Sequence, residues 1–162
     1  MQMTKEEAMA ALRSSHEELM SHLDAFPIDK WATPMPSGSW RVRDVAAHIA
    51  AWDRILAADM RALEEGQVPA WLAWDDATTD AVNESHVSER AGWSIQQLRD
   101  ELRMGRDELI DAVSKLGEPR FATIRRAGDV EASPVGLCEY WIRHDRAHTA
   151  EISLVAVGDG AM

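Results

Sequence analysis

The residues best equipped for chemistry in this 162-residue chain are histidines. His144 and His148 stand four apart, so on a helix they project from one face, one turn apart. His48 lies far upstream, in a separate apolar pattern. All three fall where the surrounding periodicity calls for a core residue. Two imidazoles from one helix and one from a facing helix make three corners of a metal coordination sphere. A fourth corner is left for water or substrate. The competing reading makes each a core histidine, bonded to a carbonyl or a neighbouring side chain. Burying three polar rings without a shared partner costs on the order of a few kcal/mol, and one divalent ion would satisfy all three. The chain lacks the glutamate of the H-E-x-x-H zinc-protease pattern.

Helices must position these rings. A first helix opens at Thr4 with Glu7 three residues on, a capping box. Its stripe runs Met9, Leu12, His16, Leu19, Leu23, Phe26, and Pro27 ends it. The segment FPIDKWATPMPSGSW is too rich in breakers to be helical. A second helix spans about 41–65 and stops at Gly66; Val45, His48, Ile49, Trp52, Ile55, Leu56 and Leu63 line it. Residues 67–93 hold a loop with two tryptophans, then a short extra helix in DATTDAVNESHVSER. Ser94 and Gln97 form a second capping box, opening a third long helix to Leu116 along Leu98, Leu102, Gly105, Leu109 and Ala112. RAGDV suggests a tight turn with a short hairpin around it. Ser133-Pro134 starts a fourth helix to about Val157, striped by Leu137, Tyr140, Trp141, His144, His148, Ile152 and Val155.

Four amphipathic helices predict an all-α fold: a four-helix bundle, one domain over 1–162, with a long helix 2–helix 3 connection carrying the extra helix. The order of packing stays open. At about 1.5 Å per residue, His48 lies ~10 Å into its helix and His144 and His148 ~15–21 Å into theirs, compatible depths whichever way the two helices run.

Charge and composition bound the rest. Lys+Arg number 17 against 28 Asp+Glu, a formal charge of -11. That balance argues against non-specific binding to nucleic acid or anionic lipid, so the expectation is no nucleic acid and no membrane partner. Hydrophobic residues at 46% suffice for a core. The single cysteine, Cys138, excludes an internal disulfide and an all-cysteine metal site. With polar opening residues and no long apolar run, the expected setting is cytoplasmic.

Other residues take supporting readings. His16 is either a fourth ligand or partner, or a satisfied core histidine. His22 and His86 fall off the stripes and should be solvated. Asp44 and Glu151 lie within a turn of ligand positions and could orient an imidazole; a helix-start charge and a solvated face are the readings preferred here. Asp145 and Arg146 alternate with the ligands and should point away. Gly105 leaves either room for a substrate or a close helix contact. Trp71 and Trp74 roof a pocket or bury a dimer contact. Arg120, Arg125 and Arg126 form a basic patch, a clamp for an acidic ligand or a solvated loop. Cys138 lies off the histidine face and is neither ligand nor nucleophile.

The segment GSWRVRDVAAHIAAWDR (38–54) resembles the second-helix signature of the DinB/YfiT-like superfamily. YWIRHDRAHTAEI (140–152) resembles the matching fourth-helix signature. The agreement covers about residues 4–157, and the loop pattern with Asn83 is closest to the ClbS/DfsB-type branch. The resemblance implies a divalent metal, nickel, zinc or iron, on His48, His144 and His148. Characterised members include thiol-S-transferases and a maleylpyruvate isomerase using mycothiol, bacillithiol or glutathione; the ClbS branch contains resistance proteins that disarm a reactive genotoxin. The expectation is therefore a metal-dependent protein, a homodimer as is common among such bundles, that activates a low-molecular-weight thiol cosubstrate or water for attack on an electrophilic small-molecule substrate. The alternative is a metal-containing binding or resistance protein that sequesters a reactive small molecule without turnover.

Overall fold

The computed structural model describes residues 1–158. Four long helices form the bundle: α1 (Lys5–Ala25), α2 (Val42–Glu64), α4 (Ile95–Ser114) and α6 (Pro134–Gly158). Helix α3 (Asp76–Glu89) is the extra helix in the α2–α4 connection, and α5 (Glu118–Phe121) is a single turn before the hairpin. Strands β1 (Arg125–Ala127) and β2 (Val130–Ala132) pair antiparallel, with Arg126 opposite Glu131. Gly128 opens their tight turn at φ +61°, a conformation that favours glycine.

The predicted caps form. Thr4 and Glu7 exchange backbone and side-chain bonds at the start of α1, and Ser94 and Gln97 do so at α4. Asp75 caps α3 by accepting from the Thr78 N–H. Gly66 ends α2 at φ +91°, the left-handed position a helix C-terminus uses.

The packing order is not sequential. Helix α1 packs against α6 and α4, whereas α2 packs against α4, α6 and α3. Thus α1 and α2 stand diagonally across the bundle, as do α4 and α6. The diagonal arrangement brings α2, which carries His48, and α6, which carries His144 and His148, side by side. Small residues set the tight α2–α4 approach. Ala46, Ala50 and Ala57 are buried on α2, and a Cβ on Gly105 would lie 3.1 Å from Asp53 Cβ and 3.5 Å from the Ala50 carbonyl. Gly105 therefore serves close packing and leaves no room for a substrate.

The core carries Leu12, Leu19, Leu23, Ile49, Leu56, Leu98, Leu102 and Ile152. At its centre lies a charged cluster that the apolar stripes did not announce. Arg106 is 1% exposed, and Asp53 and Asp145 are both 0%. The guanidinium donates to Asp53 at 3.0 Å and to Asp145 at 2.8 and 3.1 Å, and also to the Leu12 carbonyl at 2.8 Å. Ser15 donates to Asp145 at 2.7 Å. Every long helix is thus tied to one guanidinium or its partner, α1 through both Leu12 and Ser15, so each buried charge has an opposite charge and hydrogen bonds. Asp145 does not point away from the core, contrary to expectation. It sits one residue past His144, on the side of α6 that faces α1 and α4. No helix among the described residues is long and apolar enough to cross a membrane.

Candidate metal centre

His48 comes from the second turn of α2, and His144 and His148 from successive turns of α6. Their ring nitrogens converge. His48 Nε2 lies 3.0 Å from His144 Nε2, and His148 Nε2 lies 3.2 Å from it. Each ring offers one nitrogen within 4.8 Å of the other two. Tetrahedral corners around an ion with bonds of 2.0–2.1 Å would be spaced about 3.4 Å apart, so the three nitrogens fit one small divalent cation.

The surroundings fix the rings. The Trp141 indole stacks on His144, with centroids 4.0 Å apart and planes at 14°. Trp40 leans on His48 at 5.0 Å. Glu151 Oε2 lies 3.1 Å from His148 Nδ1, which places the proton on Nδ1 and leaves the Nε2 lone pair free. Glu151 is thus a partner of the site and not part of a solvated face. Asp44 instead caps α2: its carboxylate accepts from the Arg41 backbone N–H and from the Arg41 guanidinium.

Burial, then the neighbouring imidazoles, pushes His48 down to about 2. Burial, then His148 and Arg106, pushes His144 down to about 3. Both rings are neutral near pH 7 and keep a lone pair to give. Nδ1 of His48 and of His144 has no hydrogen-bond partner among the described residues. Stacking and packing therefore hold those two rings.

The remaining sequence candidates separate from this cluster. His16 is buried, with neither ring nitrogen partnered among the described residues. Burial and Arg106 push it down to about 4, which places it beside the Arg106 cluster and outside the three-histidine group. His86 is half-buried and packs edge-on against Trp52 at 6.0 Å, so it is not solvated. Burial pushes the Cys138 thiol up to about 12, which leaves it inert. In the basic patch, Arg126 pairs with Glu131 and Arg120 donates to the Glu64 carbonyl.

A cavity of about 280 Å³ opens on the fourth side of the histidine group. All three histidines reach its wall, together with Trp40, Trp52, Trp71, Tyr140 and Trp141. Trp71, on the 3-10 turn Ala70–Ala73, stands 5.1 Å from Trp52 and 6.2 Å from Tyr140, and roofs the cavity. Trp74 does not line it.

The family model described as the DinB superfamily matches residues 11–152. The chain belongs to the DinB superfamily. Solved structures with the same fold include YfiT from Bacillus subtilis, described as a probable metal-dependent hydrolase with an unusual four-helix bundle topology. It is 16% identical, with TM-score 0.75, over 96% of this chain and 87% of that one. The colibactin self-resistance protein ClbS, crystallised in complex with a dsDNA, is 9% identical with TM-score 0.78, over 94% and 95%. A mycothiol-dependent maleylpyruvate isomerase is 13% identical with TM-score 0.74, over 91% of this chain and 60% of that one. The DinB-superfamily chain thus spans 60% of the isomerase, less than two thirds of its length. A comparison with curated proteins found no match.

One expectation is corrected here. The charge of -11 carries the expectation of no nucleic-acid partner. ClbS holds duplex DNA on this same fold. Net charge is a property of the whole surface, whereas a phosphate backbone meets only one local patch, so the exclusion does not follow.

Proposed function

We propose that this DinB-superfamily protein is a metal-dependent enzyme that holds one divalent cation on His48, His144 and His148 and acts on an electrophilic small molecule in the adjoining cavity. The observation that carries this reading is the convergence of three Nε2 atoms, with His144 Nε2 at 3.0 and 3.2 Å from the other two, beside an open cavity. A cation in such a site lowers the pKa of a bound water or thiol, supplying a nucleophile at neutral pH. The chain's own residues do the positioning. Glu151 holds the proton on His148 Nδ1, Trp141 fixes the plane of His144, and the aromatic wall lines the approach to the histidine group. Zinc, nickel and iron all suit three imidazoles.

The metal dependence described for YfiT and the thiol dependence described for the isomerase support the same class of chemistry. The test is turnover. Metal-loaded protein is mixed with a thiol and monochlorobimane, and separately with an activated ester. Loss of either substrate above the rate of a His144→Ala variant supports an enzyme. Equal rates in both assays overturn it in favour of a second reading, a binding protein that sequesters its ligand. The enclosed aromatic wall suits that reading too, since it buries a ligand without any catalytic side chain beyond the histidine group.

A further inference from the structure

The wall of the cavity says what kind of molecule fits it. Four of the chain's seven tryptophans line it, and every one of their indole N–H groups is already engaged. Trp40 donates to Glu84 at 2.6 Å, Trp52 to Asn83 at 2.8 Å, Trp71 to Asp59 at 2.8 Å and Trp141 to Asp53 at 2.6 Å. Each indole donates along its ring plane to an acceptor of the protein, so none has a free N–H to offer a ligand. What the indoles offer the cavity is π-surface, whose faces carry the negative lobe of the ring quadrupole. Three of the four acceptors are carboxylates, and a charged acceptor on the N–H polarises the ring further in the same direction.

The electrostatics of the lining agree. No lysine or arginine among the described residues reaches this cavity. A second cavity of about 380 Å³ shares Trp40, Asn83 and His148 with the first, and its described wall too has no lysine or arginine. A carboxylate, sulfonate or phosphate away from the histidine group would therefore meet no counter-charge and no free indole donor.

We propose that this cavity selects a flat aromatic molecule that is neutral or cationic, and rejects anionic ones. The inference rests on the cavity named under the proposed function and assigns its ligand class. Flat rings pack against the wall that Trp52, Trp71 and Tyr140 form together, and a quaternary or protonated nitrogen gains from the aromatic faces. Thiols rich in carboxylates are poor occupants, since beyond the histidine group the described lining offers them only the uncharged donors of Thr79, Asn83 and Tyr140.

Three probes with one naphthalene body test this: naphthylmethanol, a naphthylmethyl-trimethylammonium salt and naphthalenesulfonate, each a weak metal ligand. Isothermal titration calorimetry is run on metal-loaded protein and on chelator-treated protein, with metal content measured on the same samples. The alcohol and the ammonium bind at one site, and the sulfonate at least tenfold more weakly, in both forms. Trp71→Ala weakens the two good probes at least tenfold and leaves metal content unchanged. Thr79→Lys, on a helix with no buried residue and at the cavity wall, recovers sulfonate binding. Equal or tighter binding of the sulfonate, or no binding of any probe, overturns the proposal. Absence of metal with the probe ranking intact would sink the metal reading alone.

Discussion

At the scale of single residues, the site divides into what periodicity reveals and what it hides. His48, His144 and His148 were legible because each interrupts an apolar stripe at a core position, and a polar ring there needs a reason. Glu151 was not. It stands three residues past His148 on a helix, where a carboxylate is ordinarily solvated, and only the coordinates bring it to 3.1 Å from Nδ1. Glu151→Gln keeps the shape but weakens the acceptor. It should lower metal affinity by about 10–100-fold in competition with a chromogenic chelator, the cost typical of losing such a partner. Unchanged affinity would mean that packing alone orients His148. Cys138, with its thiol pushed up to about 12, should resist iodoacetamide at pH 8 in the native protein and react on unfolding. Rapid native alkylation would contradict its burial.

Between elements, the Arg106 cluster is the feature that sequence reading missed, although a signal was present. Asp53 follows Ile49 by four, Arg106 follows Leu102 by four, and Asp145 follows Trp141 by four. Each therefore lies on the buried face of its helix. One cation and two anions at core positions of three helices could have been paired on charge alone. Treating residues between ligands as outward-facing hid Asp145, because a helix packed on two neighbours buries more than one narrow stripe. Arg106→Met strands two carboxylates in the core and should cost about 3–5 kcal/mol, read from the shift of the urea midpoint. A loss below 1 kcal/mol, roughly the worth of an exposed pair, would show that the cluster is solvated. Gly105→Ala should destabilise despite a helix-propensity gain of about 1 kcal/mol. Its Cβ meets Asp53 at 3.1 Å, and Asp53 is pinned by Arg106 and Trp141. The order of packing was not legible, since four similar stripes fit several arrangements. It is the diagonal placement of α1 and α2 that brings α2 against α6.

For the whole molecule, the buried histidines set a pH dependence. His16, His144 and His48 are pushed down to about 4, 3 and 2. The unfolded chain takes up protons on these rings as pH falls through about 6.5, while the folded chain does not. Stability is therefore full above about 6.5 and declines as pH falls from there toward these lower values. Burial also pushes His86 down. It raises Asp53, against the pull of Arg106, and Asp59, and these work the opposite way, but they are two groups against four. Thermal unfolding of chelator-treated protein should show a midpoint that drops steadily from pH 7 to pH 5. A flat profile would mean that the rings titrate normally. The central claim is the metal itself, and anomalous diffraction from crystals of protein purified without a histidine tag tests it most directly. The account predicts one peak at a transition-metal edge, about 2.0–2.1 Å from Nε2 of His48, His144 and His148. Three rings with no peak between them, each bonded instead to protein oxygen, would contradict it.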